Sequence, residues 1–192
     1  ILQPNFALAF LALANINADL KEYEIAVSNY QKAIKLRPKL VSAHNNLGVV
    51  FGKMGDTKNA VDCYKKVVEL KVDHVGAQHN LALALKEMGR FDEAIAAHKN
   101  AIKYESENLM NYFYLYDLDK SILDSQLKEK SIKIINNKNS PIRNKAFANY
   151  LLSKFEKQSS NFEQEFNYLI KGHHNFYNSN KSSFDIKTKY VF

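Results

Sequence analysis

Along the first 108 residues, small and large apolar positions recur with a step of 34. Ala26, Ala60 and Ala94 mark the step, as do Leu13, Leu47 and Leu81. So do Ala14, Gly48 and Ala82; Tyr30, Tyr64 and His98; and Ala33, Val67 and Ala101. Leu2, Leu36, Leu70 and Tyr104 keep the phase, and Pro4 and Pro38 agree with it. A fixed period of this length is the mark of a repeat array, in which each unit buries its apolar face against its neighbours.

Numbered 1 to 34 from Ala7, Val41 and Val75, each unit reads as two amphipathic helices. Position 15 is Lys21, Gly55 or Gly89 and predicts the turn between them, because a helix often ends on a left-handed residue that Gly adopts freely. Positions 8, 20 and 27 are small or Val, and positions 7, 11 and 24 are larger, which supplies holes and knobs for close helix packing. The pattern predicts helix pairs over 7–40, 41–74 and 75–108, with Ala60 and Ala94 almost fully buried. Residues 1–6 read as the tail of an earlier unit, with Leu2 and Pro4 at positions 30 and 32. The chain thus starts inside a repeat, and Phe10 and its apolar neighbours are expected to lie partly exposed.

After Asn108 the strict period fails. Residues 109–145 read as a divergent helical linker, with helices over 109–118 and 124–136. Asn136 to Pro141 is a polar turn ending in a Pro suited to a helix start. Two more helices follow at Arg143–Glu156 and Phe162–Phe176. They form a degenerate pair over 146–179, with Leu152, Phe162, Leu169 and Gly172 at positions 7, 17, 24 and 27. Glu165 replaces the usual Ala there. Tyr177 to Lys181 reads as loop, with a short helix near Phe184 to Val191. Residues 180–192 read as a segment leading into a further domain.

The units resemble the tetratricopeptide repeat. Asn46-Leu47-Gly48, Gly55-Asp56, Ala60, Tyr64 and Leu70 carry the likeness in 41–74; Asn80-Leu81-Ala82, Gly89, Phe91, Asp92-Glu93-Ala94 and Ala101 carry it in 75–108. The unit 7–40 departs by having Lys21 in place of Gly. The fold this implies is all-α: a right-handed α-solenoid of helix-turn-helix pairs with divergent C-terminal helices. Ala148 to Phe155 and Glu165 to His173 resemble the helical region before the catalytic domain of bacterial tetratricopeptide-repeat sulfotransferases. In that family a Gly-rich loop cradling a phosphosulfate follows. No such loop occurs in this sequence, so neither catalytic residues nor a cofactor is assigned to it.

Composition narrows the choices. The 192 residues are 46% hydrophobic, with one Cys, so no intramolecular disulfide can form. The longest apolar run, Phe6 to Ala14, is too short for a membrane helix of ~20 residues. It looks like the core of a secretion signal but lacks a basic segment before it, and the repeat explains it. Net charge is +7. Counted along the sequence, residues 1–108 carry +2 and residues 109–192 carry +5. Only three of the 27 basic residues are Arg, the side chain suited to bidentate phosphate recognition, so the basic half reads first as a solvated face.

No constellation of nucleophile and base emerges. The six His are scattered, His173 and His174 point ~100° apart on a helix, and no metal is expected. His98 replaces an aromatic and reads as packed. Cys63 reads as an ordinary thiol despite Lys65 and Lys66 nearby.

The best candidate is the concave face. The resemblance implies that the first helix of each pair lines it, with positions 2, 5, 6, 9, 12 and 13 facing in. Leu8, Leu11, Ala12 and Asn15 then come from the first unit, and Asn45, Asn46, Val49 and Lys53 from the second. His79, Asn80, Leu83, Lys86 and Glu87 come from the third. Repeats that clamp the carboxylate of chaperone tails need cations where Leu11, Gly76 and Asn80 stand here, so that partner is rejected. Asn46 and Asn80 at position 6 resemble the asparagine ladder of peptide-binding repeats in glycosyltransferases. The expected function is a non-catalytic, cytoplasmic protein- or peptide-binding scaffold, the N-terminal arm of a larger sulfotransferase, with no membrane partner. A stand-alone adaptor is the alternative, and a basic RNA-binding solenoid the outside one. Self-association through the solenoid ends is also expected.

Overall fold

The computed structural model describes residues 4–189, and the side chains of residues 6–181. Among the described residues there are ten α-helices, one short 3₁₀ turn and no strand. The chain divides into two compact units, Ile1–Tyr104 and Glu105–Phe192.

The first unit holds three helix pairs. They are α1 (Pro4–Asp19) with α2 (Tyr23–Leu36), α3 (Val41–Lys53) with α4 (Thr57–Leu70), and α5 (Val75–Glu87) with α6 (Phe91–Tyr104). Lys21, Gly55 and Gly89, one in each inter-helix turn, all have positive φ, at 64°, 79° and 73°. Position 15 is therefore left-handed in every unit, including the one that lacks Gly. Asp56 starts α4 by accepting a hydrogen bond from the Asn59 backbone N–H at 3.2 Å, and His74 Nδ1 does the same for Ala77 at 3.1 Å. Such side-chain acceptors satisfy donors that the first turn leaves open.

The expected alanines are buried: Ala26, Ala60 and Ala94 have almost no exposed surface. Gly48 shows why the small residues are needed. A Cβ added to it would lie 2.7 Å from Cε1 of Tyr64, so the tyrosine ring occupies the missing methyl's place. His98 takes the same position in the third pair and is fully buried, 5.7 Å from the His79 ring.

Position 7 exposes a difference between units. Leu47 and Leu81 are 5% and 7% exposed, but Leu13 is 49% exposed. α3 packs on α2 and α5 packs on α4, which covers the later leucines. α1 begins at Pro4 rather than at Ala7, with Pro suited to a first helical position. Phe6, Leu13 and Leu20 are spaced by seven residues, with Ile16 between them, and all four are exposed. Phe10 is half-buried, as the sequence leads one to expect.

The second unit holds α7 (Met110–Tyr116), a 3₁₀ turn at Lys120–Ile122, α8 (Ser125–Asn136), α9 (Ile142–Gln158) and α10 (Phe162–Lys189). Its core gathers Leu109, Leu127, Ile134, Phe147, Leu151 and Leu152. Asn144 ties the segment before α7 to α9: its Oδ1 accepts from the Leu109 N–H at 2.8 Å, and its Nδ2 donates to the Glu107 carbonyl at 2.7 Å. Pro141 immediately precedes α9, as predicted.

Two expectations need correction. The first predicted helix, 109–118, is shorter and is followed by the separate 3₁₀ turn. The loop expected at Tyr177 to Lys181 does not form, because α10 runs through it to Lys189. Those residues are polar, but none is Gly or Pro. Asn178 and His174 pair at 2.9 Å one turn apart, and Ser179 Oγ donates to the Phe176 carbonyl at 2.7 Å, so the side chains bond along the helix instead of ending it. The short helix expected near Phe184–Val191 is the end of α10 up to Lys189; Val191 lies outside the described residues.

Candidate functional site

The predicted groove residues divide into two sets. The asparagines of the first two pairs bond to one another. Tyr30 donates its hydroxyl to Asn15 Oδ1 at 2.7 Å, and Asn46 Nδ2 donates to the same oxygen at 3.0 Å. Asn45 Nδ2 in turn donates to Asn46 Oδ1 at 3.1 Å. Three asparagines and a tyrosine thus form a ladder from α1 to α3. One member is incomplete, since among the described residues the buried Asn45 Oδ1 has no hydrogen-bond partner. Burial pushes the Tyr30 phenol pKa up, and the nearby Asn46 amide opposes this. Val49 is half-buried, and exposed Lys53 reaches over the Tyr23 ring at 5.9 Å.

The third pair supplies an open cleft. Asn80, Leu83 and Glu87 of α5 meet Gly52, Thr57 and Tyr64 around a space of about 180 Å³. Among the described residues the Asn80 amide has no hydrogen-bond partner in the chain, so its acceptor and two donors face this space unclaimed. Lys86 is half-buried on the same helix, and His79 is buried against His98. Lys86 and His79 are absent from the cleft lining. Gly52, Thr57 and Tyr64 were missed in the sequence; the signal was present in Gly52, at the inward-facing position 12, where a missing side chain leaves room. Leu8 and Ala12 are exposed on α1, and Leu11 is half-buried.

Burial pushes the Tyr64 hydroxyl to about 12 and the Cys63 thiol to about 11, with Asp62 and Asp56 adding to the latter. A thiol held neutral in this way is a poor nucleophile, which fits the plain reading of Cys63. Among the described residues, no group of three or more His, Cys, Asp or Glu is placed to hold a metal, and no helix is long and apolar enough to cross a membrane.

In the second unit, basic groups collect at a cleft of about 470 Å³, where Lys145, Lys171 and His174 meet Asn149, Ile135 and Tyr168. His173 lines a different cleft, so the neighbouring histidines serve separate surfaces.

The family described as "TPR repeat" matches residues 14–55, and "Tetratricopeptide repeat" families match 41–74 and 75–104. Residues 14–104 are tetratricopeptide repeats. Among curated proteins, none matches the sequence. Solved structures of similar fold include MamA, at 19% identity and a TM-score of 0.67, covering 99% of this chain and 98% of that one. YrrB, described as "a TPR protein with an unusual peptide-binding site", has 19% identity and a TM-score of 0.63, with coverage of 88% and 86%. The first TPR of Spaghetti (RPAP3), bound to an HSP90 peptide, has 16% identity and a TM-score of 0.58, with coverage of 64% and 97%. At these identities the likeness is one of fold: an all-α array of tetratricopeptide repeats.

Proposed function

We propose that the chain is a non-catalytic scaffold whose tetratricopeptide repeats hold an extended peptide against α5. The observation that carries this reading is the Asn80 amide, unpartnered in the chain and facing an open cleft with Leu83 and Glu87. An amide offers a donor and an acceptor to a peptide backbone at once. Tyr64 and Leu83 give the cleft an apolar wall, and Glu87 favours a basic or neutral ligand. The structural relatives described with peptides lend support to this use of the fold. Asn15 and Asn46 shape the neighbouring surface, because their mutual bond leaves them less to offer a ligand.

A test is to select peptides from a random displayed library on the full chain and to titrate the selected sequences calorimetrically. Losing one hydrogen bond costs about 0.5–1.5 kcal/mol, so Asn80→Ala should weaken binding roughly two- to tenfold without changing the melting temperature. The double change Asn46→Ala with Asn80→Ala should add a loss of stability, through the broken ladder. Equal affinity for parent and Asn80→Ala removes the amide from the site.

The wider setting we infer is the N-terminal interaction arm of a larger cytoplasmic protein of the sulfotransferase type. The support is the likeness of Ala148 to Phe155 and Glu165 to His173 to that family's helical region. Reading the gene beyond Phe192 tests this: a phosphosulfate-binding loop supports the arm, and a stop codon supports a stand-alone adaptor. We propose that any self-association uses the exposed face of α1, where Leu13 and Ile16 lie bare. Leu13→Glu should leave the fold intact and dissociate any dimer seen by sedimentation.

A further inference from the structure

Residues 105–192 hold a cleft that the repeat reading leaves unused. Phe113 and Tyr114 of α7, Phe147 and Tyr150 of α9, and Phe176 of α10 wall a space of about 360 Å³. This falls within the range of small-molecule sites, which are mostly apolar with a few placed polar groups. The rings contact one another at tilted or edge-on angles: Phe113 lies 5.6 Å from Phe147 and 5.5 Å from Tyr150, and Phe147 lies 6.3 Å from Phe176. Only Phe147 is fully buried; the other four are half-buried. Gly172 helps to define the cleft. The Tyr150 ring lies 2.7 Å from where a Cβ on Gly172 would be, so the missing side chain makes room for it beside α10.

The charges choose the ligand. An aromatic enclosure by itself suits a cation. Here, though, the cationic Lys154 is already on the lining, and the Arg143 guanidinium lies 5.9 Å over the Phe176 ring. Among the described residues, Lys154 has no carboxylate partner, and no carboxylate lines the cleft. A second cation would be repelled and an anion attracted. Tyr150 hydroxyl and His173 Nδ1, 3.3 Å apart, add hydrogen-bonding groups.

We propose that this cleft binds a flat, apolar small molecule carrying one anionic group, an aryl or indolyl carboxylate in chemical class. The ring system lies among Phe113, Tyr150 and Phe176, and the carboxylate pairs with Lys154. This site is separate from the peptide groove, so either reading can fail alone.

The full chain is titrated with 1-naphthoate, 1-naphthalenemethanol and 1-naphthylmethylammonium, followed by backbone amide shifts and calorimetry. The acid should bind at least tenfold more tightly than the alcohol, the ammonium most weakly, and shifts should centre on α7, α9 and α10. Lys154→Met should bring the acid down to the alcohol's affinity and leave the alcohol unchanged. Leu169→Trp, which fills the cleft from its lining, should abolish binding of all three. Equal binding of acid and ammonium overturns the proposal. So does an unaltered acid affinity in Lys154→Met, or the absence of saturable binding by any probe. Lys154 is partly exposed, so its variant keeps the test valid even if Leu169→Trp fails to fold.

Discussion

In the pair α3–α4, the glycine stands on the first helix and the tyrosine that covers it on the second: Gly48 beneath Tyr64. In α9–α10 the order is reversed, with Tyr150 on the first helix and Gly172 on the second. Both contacts bring a ring to 2.7 Å from an absent Cβ, and both pairs turn on a left-handed residue, Gly55 or Ser160. Close approach of two helices needs one knob and one hole, and the physics is indifferent to which helix bears which. A family pattern is not indifferent, because it assigns each residue type to a column. The repeat families match up to residue 104, while the pair α9–α10 keeps similar local devices outside their pattern.

The difference is sharpest at position 20. Ala94 has no exposed surface, and the same position in α10 is half-buried Glu165. Ala94→Leu should cost ~1–3 kcal/mol by overpacking. Glu165→Leu should change stability by less than about 0.5 kcal/mol, as ordinary surface changes do. Urea denaturation of both variants checks this, and equal losses would mean that the two pairs are packed alike.

The glycines separate the pairs more finely. Gly48→Ala must displace the buried Tyr64 ring; against the ~1 kcal/mol that Ala gains over Gly in a helix, overpacking should leave a net loss of about 1 kcal/mol. Tyr150 is half-buried and borders an open cleft, so its ring can swing aside. Gly172→Ala should therefore be near neutral in stability. Its signature should be altered tyrosine side-chain shifts. If both variants lose the same stability, the two tyrosines are equally confined.

Much of the first unit was legible in the sequence. A 34-residue step in small residues is enough to place six helices, their turns and the buried alanines, because each is fixed by contacts within one period or with the next. That Asn80, Leu83 and Glu87 share one face of α5 was an expectation carried by the family resemblance, and all three line the cleft. The bond from Asn46 to Asn15 was not expected. It joins position 6 of one unit to position 9 of the one before, and depends on which of several polar side chains meet across a helix pair. The length of α10 was misjudged because polar residues resemble a loop when their bonds along the helix are unseen. The aromatic cleft was hidden for a related reason: Tyr and Phe at helical spacing predict burial but not the space left between the rings.

Alkaline pH offers a third comparison. The Cys63 thiol, raised by burial from 9.0 to about 11, stays protonated in the fold after the unfolded chain has released its proton. Its contribution is fully present below pH 9 and is lost as pH rises through about 11. Tyr64, raised from 10.0 to about 12, adds a later loss of the same sign. Residues 105–192 contain no Cys, and among the described residues there Tyr150 is raised by burial. Melting temperatures measured from pH 8 to 11 should fall from about pH 9, and Cys63→Ala should remove the early part of the fall. An identical profile in the variant would assign the loss to tyrosines alone.

The smallest effect concerns the two left-handed residues that are not glycine. Lys21 at φ 64° and Ser160 at φ 55° occupy position 15 of their pairs, where Gly55 and Gly89 stand in the others. A side chain there brings Cβ close to the following carbonyl, at a cost of roughly 1–2 kcal/mol. Glycine removes that strain but gives the unfolded chain more freedom, which takes back part of the gain. Lys21→Gly and Ser160→Gly should each stabilise the protein by about 0.5–1 kcal/mol, read as a small rise in the urea midpoint with an unchanged slope. The gain at Lys21 tests whether the first repeat departs from its family in residue type alone, since its backbone already follows the glycine-bearing repeats. The gain at Ser160 carries the argument into the divergent pair: the turn between α9 and α10 should accept glycine as readily as the turn between α3 and α4 does. A loss of stability at Ser160 with a gain at Lys21 would show that the second turn is held by its own side chain, and the likeness of the two pairs would end at their packing.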